Sequence, residues 1–396
     1  MPNDGNVQTS PVAARLHLQL DADEMLAAAL KHAGRQDFLD RSFYPALRRL
    51  LGACSAESDL SAFGRYSVRF DVLRSLSNLL EFENIELLHP QVLSRPIERP
   101  IFIMGMPRSG TTFLHELLVQ HPGTVAPLSY QTVYPNPSPS GRLGEKLRQG
   151  WVEGQLRFVR LLAPELHSLH PISARSPQEC TDITSQVFQS LRYDSIYRVP
   201  SYQRWLERYG HLEAYRFHRR FLQHLDVQMP GRRWVLKSPD HVFALNAINA
   251  VYPDAALVFV HRDPVRVLAS VAKLTEVLRR PFARSIDLVD IGRQVCASWL
   301  DGAQRMMRAA ASSESILHLH YRQIVSAPLE TASTLFRHTG LALSEEAMRR
   351  MRRWLERGRR REKPRRDYDL ATFGLDASHL RAQFAPYIEA FGVQQE

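Results

Sequence analysis

Residues 101–118 read IFIMGMPRSGTTFLHELL, and the fold can be read outward from this stretch. An apolar run, Ile101–Met104, enters a loop with glycines at 105 and 110. Behind the loop, Phe113, Leu114, Leu117 and Leu118 recur at helical spacing. A strand, a glycine-bearing loop and a helix N-terminus together make an anion cradle. Backbone N–H groups converge there, and the helix dipole adds roughly half a positive charge.

The spacing Gly105-xxxx-Gly110 is that of the loop that wraps nucleotide phosphates. The next two positions set its chemistry. A magnesium triphosphate needs Lys then Ser/Thr, a cation for the outer phosphates and a hydroxyl for the metal. Here they are Thr111 and Thr112, and the cation, Arg108, lies inside the loop. Such a cradle suits a phosphorylated ligand other than a magnesium triphosphate.

At 396 residues, 44% hydrophobic and 23% charged, the chain has the composition of a globular protein with room for one large domain and a smaller one. Three cysteines, Cys54, Cys180 and Cys296, are too few and too scattered for a disulfide framework or zinc site. No apolar run approaches the roughly 20 residues of a membrane span, and the first residues lack the pattern of a secretory signal. A cytoplasmic setting is therefore expected. The net charge of +10 suits anionic small ligands, a membrane surface or nucleic acid. Much of it sits in RRMRRWLERGRRREKPRR at 349–366, which reads as a solvated or mobile segment with a basic loop at 357–366. No recognised nucleic-acid module surrounds it.

Residues 1–20 read as a disordered leader and 21–96 as an N-terminal helical subdomain covering the main sheet, with dimer contact or acceptor binding as other roles. Residues 97–396 form the main domain. Within it, Pro127–Pro139 is proline-rich and expected to be irregular, with Tyr130 and Tyr134 as candidate walls of a ligand pocket. A helical insertion over 143–225 carries His170 and Glu179 but no metal-ligand spacing. Short buried strands are predicted at Trp234–Lys237, Ala255–Val260 and Ile316–Leu319, each followed by a helix. Apolar rather than alternating strands predict an α/β fold with a central parallel sheet covered on both faces. Ligands then bind beyond the carboxyl ends of the strands. Arg108–Thr112, Lys237–Ser238 and Arg262–Ser270 deliver polar groups to that edge, so three cations distant in sequence are expected to converge.

Together, PIFIMGMPRSGTTFLHELL, WVLKSPDH and VFVHRDPVRVLAS resemble the sulfotransferases that use 3′-phosphoadenosine 5′-phosphosulfate, especially the bacterial branch with a PRSGTT loop. The resemblance covers roughly 97–390 and implies a P-loop-like three-layer fold. Looser matches are HLHYRQIV around Tyr321, which adds that residue to the donor-binding set, and FGLD at 373–376. By this resemblance Arg108, Ser109, Gly110, Thr111 and Thr112 hold the 5′-phosphosulfate. Arg262 and Ser270 hold the 3′-phosphate, and Lys237 approaches the transferring sulfuryl group. Metal-independent in-line transfer to a small-molecule, lipid or carbohydrate acceptor is implied, with no nucleic-acid partner, and a homodimer is compatible with it. The base is a Glu or His in relatives. Gln131 stands where some carry a Glu, so the role passes to Glu179 first and His170 second. A nucleotide kinase, resting on the glycine spacing, and a basic nucleic-acid-associated protein are the alternatives.

Overall fold

The computed structural model describes residues 19–137, 141–169, 171–359 and 368–396. Its centre is a five-stranded parallel sheet in the order β2-β3-β1-β4-β5: β1 Ile101–Gly105, β2 Thr124–Val125, β3 Arg233–Lys237, β4 Ala256–His261 and β5 Leu317–His320. Phe102 sits beside Leu236 of β3 and Leu257 of β4. After β1 the chain builds β2 and β3 on one side and then crosses over to β4 and β5 on the other, so the carboxyl ends of β1, β3 and β4 meet at a topological switch point, where ligands of such sheets bind.

Alternate strand residues enter two different cores. Phe102, Met104, Trp234, Leu236 and Phe259 join one, with helices α1 Ala22–Ala33, α2 Tyr44–Glu57, α3 Ala62–Leu88 and others. Ile101, Ile103, Val235, Val258 and Val260 join the second, with Leu114 and Leu117 of α4 Thr111–Leu118. Burial on both faces explains why these strands show no polar alternation. Truncating one of the large buried side chains, such as Phe102→Ala, costs roughly 3–5 kcal/mol.

Local signals start the helices where the sequence predicts. Asp21 caps α1, its carboxylate accepting from Glu24 N–H at 2.8 Å. Beyond α5, Gly141–Leu162, come several short helices, then α6 Leu212–Asp226. Next are α7 Pro264–Arg279, α8 Leu288–Ser312, α9 Pro328–Thr339, α10 Glu345–Arg359 and α11 Ala377–Phe391. Asp263 caps α7, accepting from Val265 N–H at 3.0 Å, with Pro264 at the first helical position.

Two expectations are corrected. The proline-rich stretch holds a helical turn, Ser129–Val133, whose sequence is free of proline between Pro127 and Pro135. The basic segment is helical through Arg359. Ala347 and Met351 bury a face there, and Trp354 packs on Phe113 with ring centroids 5.3 Å apart, so the arginines hide an apolar stripe. Residues 360–366 of the expected basic loop lie outside the described residues, as does most of the 1–20 leader. The SPDH element is a helix start: Ser238 Oγ accepts from Asp240 N–H at 3.2 Å and Pro239 opens a 3-10 turn, Pro239–Phe243, that leads into the α-helix Leu245–Val251.

Candidate active site

The loop after β1 is shaped by glycines. Gly105 has φ 135°, and a Cβ there would lie 2.2 Å from the Val260 carbonyl oxygen on β4. Gly110 has φ 87°, with the Tyr321 ring 3.0 Å from where a Cβ would stand. Between them Arg108 adopts φ 61°, a conformation that costs a side-chain-bearing residue of order 1 kcal/mol and is held by surrounding bonds. Arg108 Nε donates to Ser270 Oγ at 3.1 Å, and its Nη1 donates to the Leu169 carbonyl at 2.7 Å. Ser109 turns inward instead: its hydroxyl donates to the Met106 carbonyl at 2.6 Å and is fully buried. Its side chain ties the loop, leaving the backbone amide for a ligand.

From the end of β3, the buried Lys237 sends its ammonium to Thr112 Oγ1 at 3.2 Å and into an ion pair with Glu179. A buried ammonium requires such partners. Under this pair, His115 bonds the Val235 carbonyl at 3.0 Å. Burial, helped by the Lys237 charge, pushes its pKa down to about 3, so its ring is neutral.

From the end of β4, Arg262 braces the loop, its Nη1 donating to the Arg108 carbonyl at 2.5 Å. The guanidinium lies 3.8 Å from the Tyr321 ring centroid. Its other donors meet the Glu396 carboxylate, at 2.9 Å for both Nε and Nη2. A carboxylate gripped by this fork shows that the position accepts an anion in a bidentate manner.

Arg108, Gly110, Thr111, Thr112, Glu179, Arg262 and Tyr321 line one cavity of 1560 Å³, while Ser109, Lys237 and Ser270 stand behind its wall. His170 lies outside the described residues. Tyr130 and Tyr134 are not lining groups, in contrast to the expectation. Tyr130 is buried under Arg148, whose guanidinium is 4.8 Å from its ring centroid. The Tyr134 hydroxyl accepts from Trp151 Nε1 at 3.1 Å. Their segment reaches the cavity through Ser129 and Val133. Away from the polar end the wall is largely apolar, with Phe63, Phe70, Phe158, Leu162, Leu274 and Phe282 among its members, although Asp71 and Arg74 of α3 also reach it. Among the described residues, no His, Cys, Asp and Glu side chains are grouped to hold a metal ion.

A model of the sulfotransferase family matches residues 100–345. The chain belongs to the sulfotransferase family. It is 26% identical over 270 residues to the omega-hydroxy-beta-dihydromenaquinone-9 sulfotransferase Stf3 of Mycobacterium bovis, an alignment covering 65% of this chain and 66% of that relative. The crystal structure of sulfotransferase STF1 from Mycobacterium tuberculosis H37Rv superposes with a TM-score of 0.79 at 29% identity, covering 92% of this chain and 98% of STF1. Sulfotransferase STF9 from Mycobacterium avium gives 0.82 at 26% identity, covering 95% and 98%. Membership makes this sulfotransferase a transferase and implies a sulfate donor.

Besides Glu179, four carboxyl groups on the sulfotransferase cavity wall were not singled out from sequence as site residues: Asp71, Glu116, Asp182 and Asp240. Glu116 stands one helical turn beyond Thr112 on α4, and its pKa is raised by burial against the opposing pull of Lys237. Its i+4 spacing from Thr112 was the available signal. Asp240, which reads as a helix-start residue, also lines the cavity. Burial first, and then the Glu179 charge, push its pKa up to about 7.

Proposed function

We propose that this sulfotransferase moves a sulfuryl group from 3′-phosphoadenosine 5′-phosphosulfate to the hydroxyl of an elongated, largely apolar alcohol. The observation that carries the reading is the cavity itself, whose polar end is built from three strand ends and whose remainder is largely apolar. The residues fit the donor. A glycine-shaped loop with the Thr111 and Thr112 amides at a helix start suits the 5′-phosphosulfate. Arg262, which already grips a carboxylate, with Ser270 on the adjoining helix, suits the 3′-phosphate. When bound, the donor supplies a sulfuryl group joined to a phosphate leaving group.

Arg108, Lys237 and the loop amides then face the negative charge that grows on the leaving phosphate oxygen, a preorganised electrostatic contribution. Glu179, ion-paired with Lys237, accepts the acceptor's hydroxyl proton. The acceptor O–S bond forms as the S–O bond to phosphate breaks, and adenosine 3′,5′-bisphosphate is released. A second reading gives the proton to Asp240, favoured by its pKa of about 7 beside the same wall. The acceptor class is supported by the largely apolar wall and by a relative named as an omega-hydroxy-beta-dihydromenaquinone-9 sulfotransferase. A kinase reading is disfavoured because Thr111 replaces the phosphate-binding lysine.

Incubation with labelled donor and a panel of prenyl and alkyl alcohols, phenols and sugars tests the reading, with transfer expected to the apolar alcohols. Adenosine 3′,5′-bisphosphate is expected to raise the melting temperature more than ADP. Equal shifts would remove the case for a 3′-phosphate site. Glu179→Gln, Asp240→Asn and His170→Ala, assayed side by side, identify the proton acceptor.

A further inference from the structure

Helix α5, Gly141–Leu162, is solvated along an apolar face. Leu143, Leu147, Trp151 and Leu161 are 66%, 66%, 63% and 78% exposed, and Phe158 is exposed with them. Their spacing of three and four residues stacks them on one side of the helix. On the flank next to this stripe lie Arg142, Lys146 and Arg157, all exposed. The acidic residues of the helix are drawn elsewhere: Glu145 pairs with Arg148 at 2.7 Å and Glu153 with Arg160 at 2.6 Å. Only Gly144 and Val152 are buried. The stripe runs into the mouth of the large cavity, because Trp151 and Phe158 line it, as do the exposed Tyr66 and Phe70 of α3.

We infer that this face of α5 docks on an anionic lipid surface, lying in the headgroup plane and opening the cavity toward the bilayer. A helix with an apolar stripe bordered by cations and little acidic charge is the pattern of interfacial helices. No helix among the described residues is long and apolar enough to cross a membrane, so the helix lies on the surface. Charge complementarity selects the occupant. Lipid phosphates meet Arg142, Lys146 and Arg157 favourably, and the protein's net charge of +10 adds long-range attraction. A second copy seated face to face would bring like-charged flanks together and cover both cavity mouths. Docking shortens the path of an apolar alcohol, which then passes from bilayer to cavity without entering water. The lipid-docking claim stands on the surface alone; its link to acceptor entry rests on the cavity being the acceptor site.

The test is co-sedimentation of the full chain with vesicles of phosphatidylcholine, alone or with about a third phosphatidylglycerol, at low and high salt. No donor or turnover is needed, so failure here is distinct from failure of sulfuryl transfer. Binding is expected to the anionic vesicles and to weaken with salt as the flanking cations are screened. The variant Leu143→Ser/Leu147→Ser/Leu161→Ser, which leaves the cavity wall intact, is expected to lose about tenfold or more in partitioning. Its melting temperature and its thermal shift with adenosine 3′,5′-bisphosphate are expected to match the parent. Arg142→Glu/Lys146→Glu/Arg157→Glu is expected to abolish the preference for anionic vesicles. The inference is overturned if neither vesicle binds the chain or if binding ignores the leucines. A dimer in sedimentation analysis that the leucine substitutions dissociate would also overturn it.

Discussion

Arg262 and Glu396 form a two-pronged ion pair, with guanidinium Nε and Nη2 each 2.9 Å from a carboxylate oxygen. The Glu396 backbone N–H donates to Asp263 Oδ2 at 2.9 Å, and Arg322 donates to the Gln394 side chain at 2.7 Å. The segment around Glu396 is thus fastened over the arginine proposed to hold the donor's 3′-phosphate. Both anions seek the same fork, so they compete. Glu396→Gln is expected to tighten adenosine 3′,5′-bisphosphate binding about threefold to tenfold, equivalent to roughly 1 kcal/mol. Arg262→Ala is expected to weaken it by about tenfold or more. Titration calorimetry checks both, and indifference of the bisphosphate to Arg262 would detach this residue from donor binding.

Lys237 and Glu179 form the second coupled pair. Lys237→Ala is expected to lower kcat by about 10²–10³-fold, through lost charge stabilisation on the leaving group. Glu179→Gln is expected to lower it by about 10²–10⁴-fold if this carboxylate takes the proton. Because the two side chains share one ion pair, the double variant is expected to fall short of the product of the single losses. Glu179 is partly solvated, so Lys237→Ala is expected to cost only about 1–3 kcal/mol of stability. Single-turnover kinetics and denaturant melts separate the two effects.

The two loop glycines are expected to respond unequally to alanine. At Gly105 the new methyl meets backbone, the Val260 carbonyl oxygen at 2.2 Å, which cannot move without disturbing the β1–β4 pairing. A loss above about 2 kcal/mol is expected. At Gly110 the first obstacle is the Tyr321 ring edge at 3.0 Å, and a loss of about 1–2 kcal/mol is expected. Gly110→Ala is also expected to weaken bisphosphate binding. Urea denaturation ranks the pair, and a larger loss at Gly110 would contradict the packing argument.

Asp240 makes stability depend on pH. Its carboxyl is pushed from 3.8 up to about 7 by burial and by Glu179, so the folded state holds a proton that the unfolded state releases. That contribution is fully present below about pH 4 and is lost as pH rises through about 7. The buried neutral rings of His115 and His218, each lowered to about 3 by burial, act with opposite sign over part of the same window. Asp240→Asn isolates the carboxyl. The variant is expected to gain in melting temperature relative to the parent between about pH 4 and 7, and a constant difference would argue that Asp240 is ionised throughout.

By itself, the sequence determined four of the five strands and their order along the chain, the phosphate-type loop, and the three segments that meet at one sheet edge; the two-residue β2, Thr124–Val125, is too short to show a pattern. These are local or periodic properties. Strands buried on both faces must be apolar runs, tight turns next to backbone demand glycine, and helix starts carry Asp21 and Asp263 as caps. Tertiary structure decided what each polar group faces. Ser109 turned into the loop, Tyr130 went under Arg148, and Asp240 became part of the cavity wall. The helix ending at Arg359 was masked by its charge, because Ala347 and Met351 reveal a face only when a core exists to receive them. The pairings Lys237–Glu179 and Arg262–Glu396 join residues 58 and 134 positions apart. No local pattern encodes such partners. They are chosen when folding removes water from a cation, which must then take whichever anion the packed chain brings within reach.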